Sequence, residues 1–136
     1  MVGLLTPLAE DGASIDIWGD GKQTRSFMYI DDCVEGLVGI MASDCHEPLN
    51  LGTDRLVTVD ELVDLTCNIA SKKLHKVHDP TRPQGVRGRN SDNTKLRQVL
   101  GWEPQISLEV GLATTYHWIV SELKKRAEVR QAVTAA

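Results

Sequence analysis

An Asp20-Gly21 pair sits between two short segments of strand-like composition, and this turn most tightly constrains how the chain can fold. "SIDIW" alternates apolar and polar residues from Ser14 to Trp18, and "RSFMYI" follows from Arg25 to Ile30. An Asp-Gly pair accepts the backbone angles that a two-residue hairpin loop needs, so the spacing predicts a β-hairpin. A hairpin does not need Gln23 and Arg25 two positions apart at the start of its second strand. Those residues raise a separate question, that of function.

Downstream, helical and extended signals alternate. Asp31 or Asp32 is expected to cap a helix that carries Val34, Leu37, Val38 and Met41 at helical spacing. "EPLNLGT" reads as a short strand closed by Gly52. Thr58 and Glu61 have the spacing of a capping box, opening a helix with a buried stripe of Val59, Leu62, Val63, Thr66, Ile69 and Ala70. "LHKVHDP" reads as a strand and "TRPQGVRGRN" as a loop. Ser91 or Asp92 is expected to cap a short helix that stops at Gly101, with Pro104 just beyond. Ser107 caps the last helix, which places Leu108, Leu112, Thr115, Tyr116, Ile119 and Leu123 on one face. Residues 127–136 are expected to form a disordered tail. The whole reads as a single region of α/β or α+β class.

The 136 residues are enough to bury one core, and 41% apolar with 25% charged residues is the balance of a globular domain. A net charge of −4 argues against general nucleic-acid or membrane-surface partners. No apolar run approaches the roughly 20 residues of a membrane span, and "MVGLLTPLAEDG" lacks the basic start of a secretory leader. Cys33, Cys45 and Cys67 are odd in number and lack C-x-x-C spacing. They read as buried thiols in a reducing, cytoplasmic setting. Charge is uneven: eight Lys or Arg against Asp79 and Asp92 lie between Lys72 and Arg97. Such a run is a solvated face unless several cations converge on one place.

Two motifs read as structural. "GLVGIMA" places Gly36, Gly39 and Ala42 at dinucleotide-loop spacing, but a phosphate-binding glycine belongs in the turn before a helix. Here an aspartate precedes it and the apolar stripe runs through both glycines, so the pattern reads as helix packing. His75-x-x-His78 would place its side chains on opposite faces of a strand, with nothing to complete a metal set. Neither Tyr29 nor Tyr116 is followed four residues later by a lysine, and no acid–base pair stands out, so no catalytic residue is assigned.

"QTRSF" and "VRGRNSDN" remain. Arginine presents a planar fork of donors suited to phosphate. Arg87-Gly88-Arg89 sets two such forks beside a glycine that permits close approach. A helix opening near Asp92 would add its positive end to the same field, while Gln23 and Thr24 can hydrogen-bond a base or ribose. Each set alone is compatible with surface decoration. Together they read as the two jaws of a nucleotide-diphosphate clamp.

"GDGKQTRSFMYIDD", "EPLNLGTD", "QGVRGRNSDNTKLRQVLGWEP" and "GLATTYHWI" together resemble the carboxyl-terminal part of extended short-chain dehydrogenase/reductases acting on nucleotide sugars, the NAD-dependent epimerase/dehydratase family. The resemblance runs from Ile15 to Glu122. It implies that Gln23, Thr24 and Arg25 hold a nucleotide sugar, that Arg89 grips its diphosphate, and that Arg87 and Asp92 lie beside that site. It further implies a GDP-sugar substrate and a homodimer in the complete enzyme. NAD would be carried by a Rossmann half, with its Tyr-x-x-x-Lys pair and an epimerising Cys/Lys pair, that lies upstream of Met1. From the residues alone guanine and uracil stay open. A stand-alone module that binds nucleotide sugars without chemistry is the alternative.

Overall fold

The computed structural model describes residues 11–134, with side chains to residue 130. The first strand, β1 (Ser14–Trp18), has the expected alternation, with Ile15 and Ile17 facing inward and their neighbours outward. Its partner is not the expected one. β1 pairs in parallel with β4 (His75–Asp79), in register from Ser14 opposite His75 to Trp18 opposite Asp79. The returning segment supplies only β2 (Thr24–Arg25), antiparallel to β3 (Val57–Thr58). The predicted hairpin is therefore corrected.

The turn itself supplies the reason. Its carbonyls do not face β1 but meet the start of helix α2 (Val59–Ala70). The Asp60 amide donates to the Gly21 carbonyl at 3.1 Å and the Val59 amide to the Gln23 carbonyl at 3.2 Å. The first amides of a helix lack partners within it, so the turn satisfies them. Gly21 has a φ of +72°, and a Cβ there would lie 2.5 Å from the Asp60 carboxylate. Only glycine allows this approach.

Helix α2 is the element the sequence marks best. Thr58 Oγ1 accepts from the Glu61 amide at 3.1 Å while Glu61 Oε2 accepts from the Thr58 amide at 2.7 Å, completing the capping box. Leu62, Val63 and Thr66 are buried as expected, with Cys67 beside them. Ile15, Ile17, Val63 and Cys67 form the core, and Val59, Ala70, Leu74, Tyr116 and Ile119 pack against it. The last two come from α4 (Leu108–Thr134), whose Val110 amide donates to Ser107 Oγ at 3.3 Å, the expected cap. On its apolar face Leu112 is buried, whereas Leu123 is exposed. The helix continues to Thr134, through most of the stretch expected to be a disordered tail.

Helix α1 (Ile30–Ala42) departs further from expectation. Tyr29 occupies its N-cap without a side-chain bond, so neither Asp31 nor Asp32 is the cap. Asp32 is buried, and its Oδ2 accepts from the Gln105 and Ile106 amides at 3.1 and 2.8 Å. That carboxylate ties α1 to the segment entering α4. Gly36 is also buried. A Cβ there would lie 2.5 Å from Leu51 and 2.9 Å from Trp102, which bears out the packing reading of "GLVGIMA". The apolar stripe lies on the other side: Val34, Leu37, Val38 and Met41 are 50–84% exposed.

"EPLNLGT" forms no strand, because no neighbouring strand offers a ladder among the described residues. Side chains hold it instead, with Asn93 Nδ2 donating to the Gly52 carbonyl at 2.7 Å and Thr53 Oγ1 to the Phe27 carbonyl at 3.2 Å. Helix α3 (Thr94–Leu100) buries Leu96 completely and ends, as expected, at a left-handed Gly101 with φ +61°. Its N-cap is Asn93, so the expected cap at Ser91 or Asp92 is displaced by one or two residues. Of the three cysteines Cys67 alone is buried, while Cys33 and Cys45 are half-buried, and all are free.

Two measurements check this account. Covering the outward stripe of α1 should drive self-association, because each large aliphatic side chain gains roughly 1.5–3 kcal/mol when fully buried. Sedimentation velocity should show oligomers growing with concentration, and Leu37→Glu with Met41→Glu should return the chain to monomer. A clean monomer of the unsubstituted chain at high concentration would contradict this.

The second check is acid dependence. Arg55 and Glu109 form a two-bond pair at 2.9 and 2.7 Å that ties the β3 approach to α4. Hydrogen bonding from the Arg55 guanidinium draws the Glu109 carboxyl from about 4.5 down to about 2. A carboxylate depressed in the folded state contributes stability above its unfolded value, and this is lost as pH falls through the folded one. Urea midpoints measured between pH 4.5 and 2 should therefore fall less steeply in Glu109→Gln than in the parent.

Candidate functional site

The two predicted jaws meet. The Thr24 amide donates to the Arg87 carbonyl at 2.8 Å, and Thr24 Oγ1 lies 3.5 Å from the same oxygen. Arg25 Nη1 donates to the Thr24 and Val86 carbonyls at 2.6 and 2.8 Å, and its Nη2 to the Gln84 carbonyl at 3.3 Å. β2 and the 84–88 loop thus form one wall, although some 60 residues separate them in sequence. Gly88 permits the approach, since a Cβ there would lie 2.7 Å from Thr24 Oγ1.

Gln23 plays a different part from the one its chemistry suggests. It is 94% buried (6% exposed), its Nε2 donates to the Trp18 carbonyl at 2.7 Å, and its backbone carbonyl accepts from the Val59 amide. Its Oε1 is buried with no partner. A lone buried acceptor costs about 1–3 kcal/mol, so this amide is the place in the wall where an added donor would be stabilising.

The basic run resolves into pairs. Lys76 meets Asp64 at 2.6 Å, Arg82 meets Asp79 at 3.2 Å, Arg97 meets Glu103 at 2.7 Å, and Lys95 meets Glu47. Arg87 Nη1 contacts both oxygens of Asp20 at 2.9–3.0 Å, and this bond holds the Asp20 carboxyl below its ordinary range. Arg89, two residues on, is exposed and has no hydrogen bond or ion pair among the described residues. Most of the run is therefore a solvated, locally neutralised face, and Arg89 is the loop arginine whose fork is open.

Asp92 does not sit open beside Arg89. Its Oδ1 accepts from the Thr94 amide at 2.9 Å in the first turn of α3, and bonds from Thr94 hold the carboxyl low. This carboxylate occupies the helix end that was expected to add a positive field. His78 Nε2 lies 2.8 Å from Asp60 Oδ1, and no group of three metal-ligating side chains occurs among the described residues. No described helix is long and apolar enough to cross a membrane. The sequence reading missed Asp20 as the partner of Arg87. It lies 67 residues away in a turn that its own identity already explains, so no local signal marked it.

Comparison with known proteins gives the family of the chain. GDP-mannose 3,5-epimerase from Arabidopsis thaliana is 46% identical over 110 residues, which is 81% of this chain and 29% of that protein. Among solved structures, UDP-glucose 4-epimerase from Thermotoga maritima with UDP-glucose superposes with a TM-score of 0.80 at 34% identity, over 90% of this chain and 39% of that one. UDP-glucuronic acid 4-epimerase from Bacillus cereus, in complex with UDP-glucuronic acid and NAD, gives 0.73 at 29% identity, over 79% of this chain and 35% of that one. The chain thus spans about a third of the length of the proteins it matches. A sequence model of the family described as GDP-mannose 4,6 dehydratase matches residues 8–115, well over half the chain, and the chain belongs to that family.

Proposed function

We propose that this chain is the nucleotide-sugar-binding part of an NAD-dependent epimerase acting on GDP-mannose. The observation that carries the reading is the open fork of Arg89 on a loop docked against β2, beside neighbours whose charges are already paired. The 46% identity to GDP-mannose 3,5-epimerase supports guanine as the base and mannose as the sugar. In this reading Arg89 grips the diphosphate, Thr24 and Arg25 form the wall against which the nucleotide lies, and buried Gln23 braces that wall through its bond to the Trp18 carbonyl. Arg87 exchanges Asp20 for a phosphate oxygen when the ligand arrives, and Asp92 keeps α3 in place. The reaction of the complete protein is oxidation at C4 of the sugar, epimerisation at C3 and C5 and re-reduction, by a homodimer in the cytoplasm.

The described residues do not fit NAD. The glycines with dinucleotide-loop spacing lie inside helix α1, packed on Leu51 and Leu100, and none opens a helix directly after a strand. No step is therefore assigned to this chain through that cofactor. One observation favours the binding-module alternative: the wall of β2 and the 84–88 loop is closed by bonds within this chain alone.

The isolated 136-residue chain should neither bind NAD nor turn over a nucleotide sugar. Calorimetry with NAD and an epimerisation assay with GDP-mannose check both statements, and any turnover would refute the second. In a chimera completed with the remaining part of a related epimerase, Arg89→Ala should weaken GDP-mannose binding by about 10- to 100-fold. That is the loss expected from charge-assisted hydrogen bonds of roughly 1.5–3 kcal/mol. Arg89→Lys should recover only part, since an ammonium keeps the charge without the fork. NAD affinity should not move. If neither arginine substitution, Arg87→Ala or Arg89→Ala, changes GDP-mannose binding, the clamp reading fails.

A further inference from the structure

The two jaws come together a second time at Thr53. Its Oγ1 donates to the Phe27 carbonyl at 3.2 Å, and its own carbonyl accepts from the Ser91 amide at 3.0 Å. Phe27 lies two residues after Arg25, and Ser91 lies two residues after Arg89. On the near side of Arg89, the Arg87 carbonyl accepts from the Thr24 amide at 2.8 Å. Chain and hydrogen bonds thus close a ring that runs through residues 24–27, Thr53 and residues 87–91. Arg25 lies on one arm of this ring and Arg89 on the other.

Other contacts fasten the two sides of Arg89 to different supports. Before it, Arg87 pairs with Asp20, Arg25 bonds to the Gln84 and Val86 carbonyls, and Gln84 packs against Gly19 with no room for a Cβ there. Those contacts hold residues 84–87 on the β2 side. Beyond it, Asn90 Nδ2 donates to the Asp54 carbonyl at 2.9 Å, buried Asn93 to the Gly52 carbonyl at 2.7 Å, and Asn50 to the Asp92 carbonyl at 3.5 Å. Gly52 permits this approach, since a Cβ there would lie 2.8 Å from the Ser91 Cβ. These bonds hold residues 90–93 on the 50–54 segment, and none of them ties that segment to β2. The β2–β3 ladder ends at Arg25 opposite Val57, four residues short of Thr53. The Thr53 hydroxyl spans that gap. Its β-branched side chain has few χ1 positions, so the hydroxyl is aimed at one acceptor with little loss of freedom.

We infer that Thr53 is a positioning residue for nucleotide-sugar binding: by joining Phe27 to Ser91 it sets the spacing between β2, which carries Arg25, and the arm that carries Arg89. The inference rests on the reading of Arg89 as the diphosphate grip and of Arg25 as part of the wall, but its primary test needs no ligand. Groups on two separate arms bind one ligand well when their spacing is set beforehand, because no binding energy then goes into ordering them. Thr53 acts here without touching the ligand, its hydroxyl and carbonyl both being engaged within the ring.

Thr53→Val removes the hydroxyl, and Thr53→Ser keeps it. Amide hydrogen exchange followed by NMR on the full chain, without ligand, reads the ring at the two amides that close it. In Thr53→Val, exchange at Thr24 and at Ser91 should accelerate by about three- to tenfold, the loss expected of one net hydrogen bond. In Thr53→Ser both should match the parent. The Val63 amide, within α2, should change in neither variant, which separates opening of the ring from a general loss of stability. Calorimetric titration of GDP-mannose into the same chains reads the consequence. Thr53→Val should weaken binding about three- to tenfold, and by less than about twofold once Arg89 is alanine, because it acts through that side chain.

Unchanged exchange at Thr24 and Ser91 in Thr53→Val overturns the inference, whatever happens to binding. So does acceleration of the Val63 amide by the same factor, and so does a Thr53→Ser variant that behaves like Thr53→Val. An effect of Thr53→Val on binding that persists undiminished in Arg89→Ala overturns it as well. Accelerated ring amides, in a chain that binds GDP-mannose regardless of Arg89→Ala or does not bind it at all, would uphold the ring and refute the reading of Arg89.

Discussion

The contact between the Gly19–Gln23 turn and the first turn of α2 is the constraint on which the rest depends. Two helix amides that have no partner within α2 are met by the Gly21 and Gln23 carbonyls. This one junction fixes the end of β1, the start of β2 and the entry of α2 together. It carries β2 away from β1 and onto β3, and so leaves one edge of β1 for β4. The glycine at position 21 is what permits the approach, because any Cβ would collide with the Asp60 carboxylate.

From that junction the core follows simply. β1 presents Ile15 and Ile17 to Val63 and Cys67 of α2, and α4 covers them with Tyr116 and Ile119. Helix α1 lies outside this arrangement. It is attached by small and polar groups, Gly36 against Leu51 and Trp102, and the Asp32 carboxylate against two backbone amides. Its aliphatic side faces outward, and "EPLNLGT" beside it is extended without a ladder. An uncovered aliphatic helix face is one that ordinarily packs on a further layer.

Electrostatics along the basic run is mostly a matter of local neutralisation. Exposed pairs such as Arg82–Asp79 and Arg97–Glu103 contribute little to stability individually. Their consequence is selective: they remove competing cations and leave one loop arginine unpaired. A solvated charge run and a loop arginine with an open fork are thus both present, distinguished by which carboxylates lie within reach.

What the sequence by itself determined is what depends on neighbours a few residues apart. The Thr58–Glu61 capping box, the Ser107 cap, the Gly101 stop and the alternation of β1 are all interactions of period two to four, and each is present. The quoted motifs also marked the family, since a resemblance between sequences is legible before the fold is known. Tertiary structure alone decided which strand pairs with β1, which side of α1 is buried, and where the cations find their partners. It turned Asp32 from a cap into a clasp, gave Arg87 to Asp20 across 67 residues, and spent Arg25 on carbonyls about 60 residues away. These outcomes require the chain to close long loops before any contact forms. Local pattern cannot rank them, because a turn, a helix face or an arginine fork can serve several partners equally well until the fold selects one.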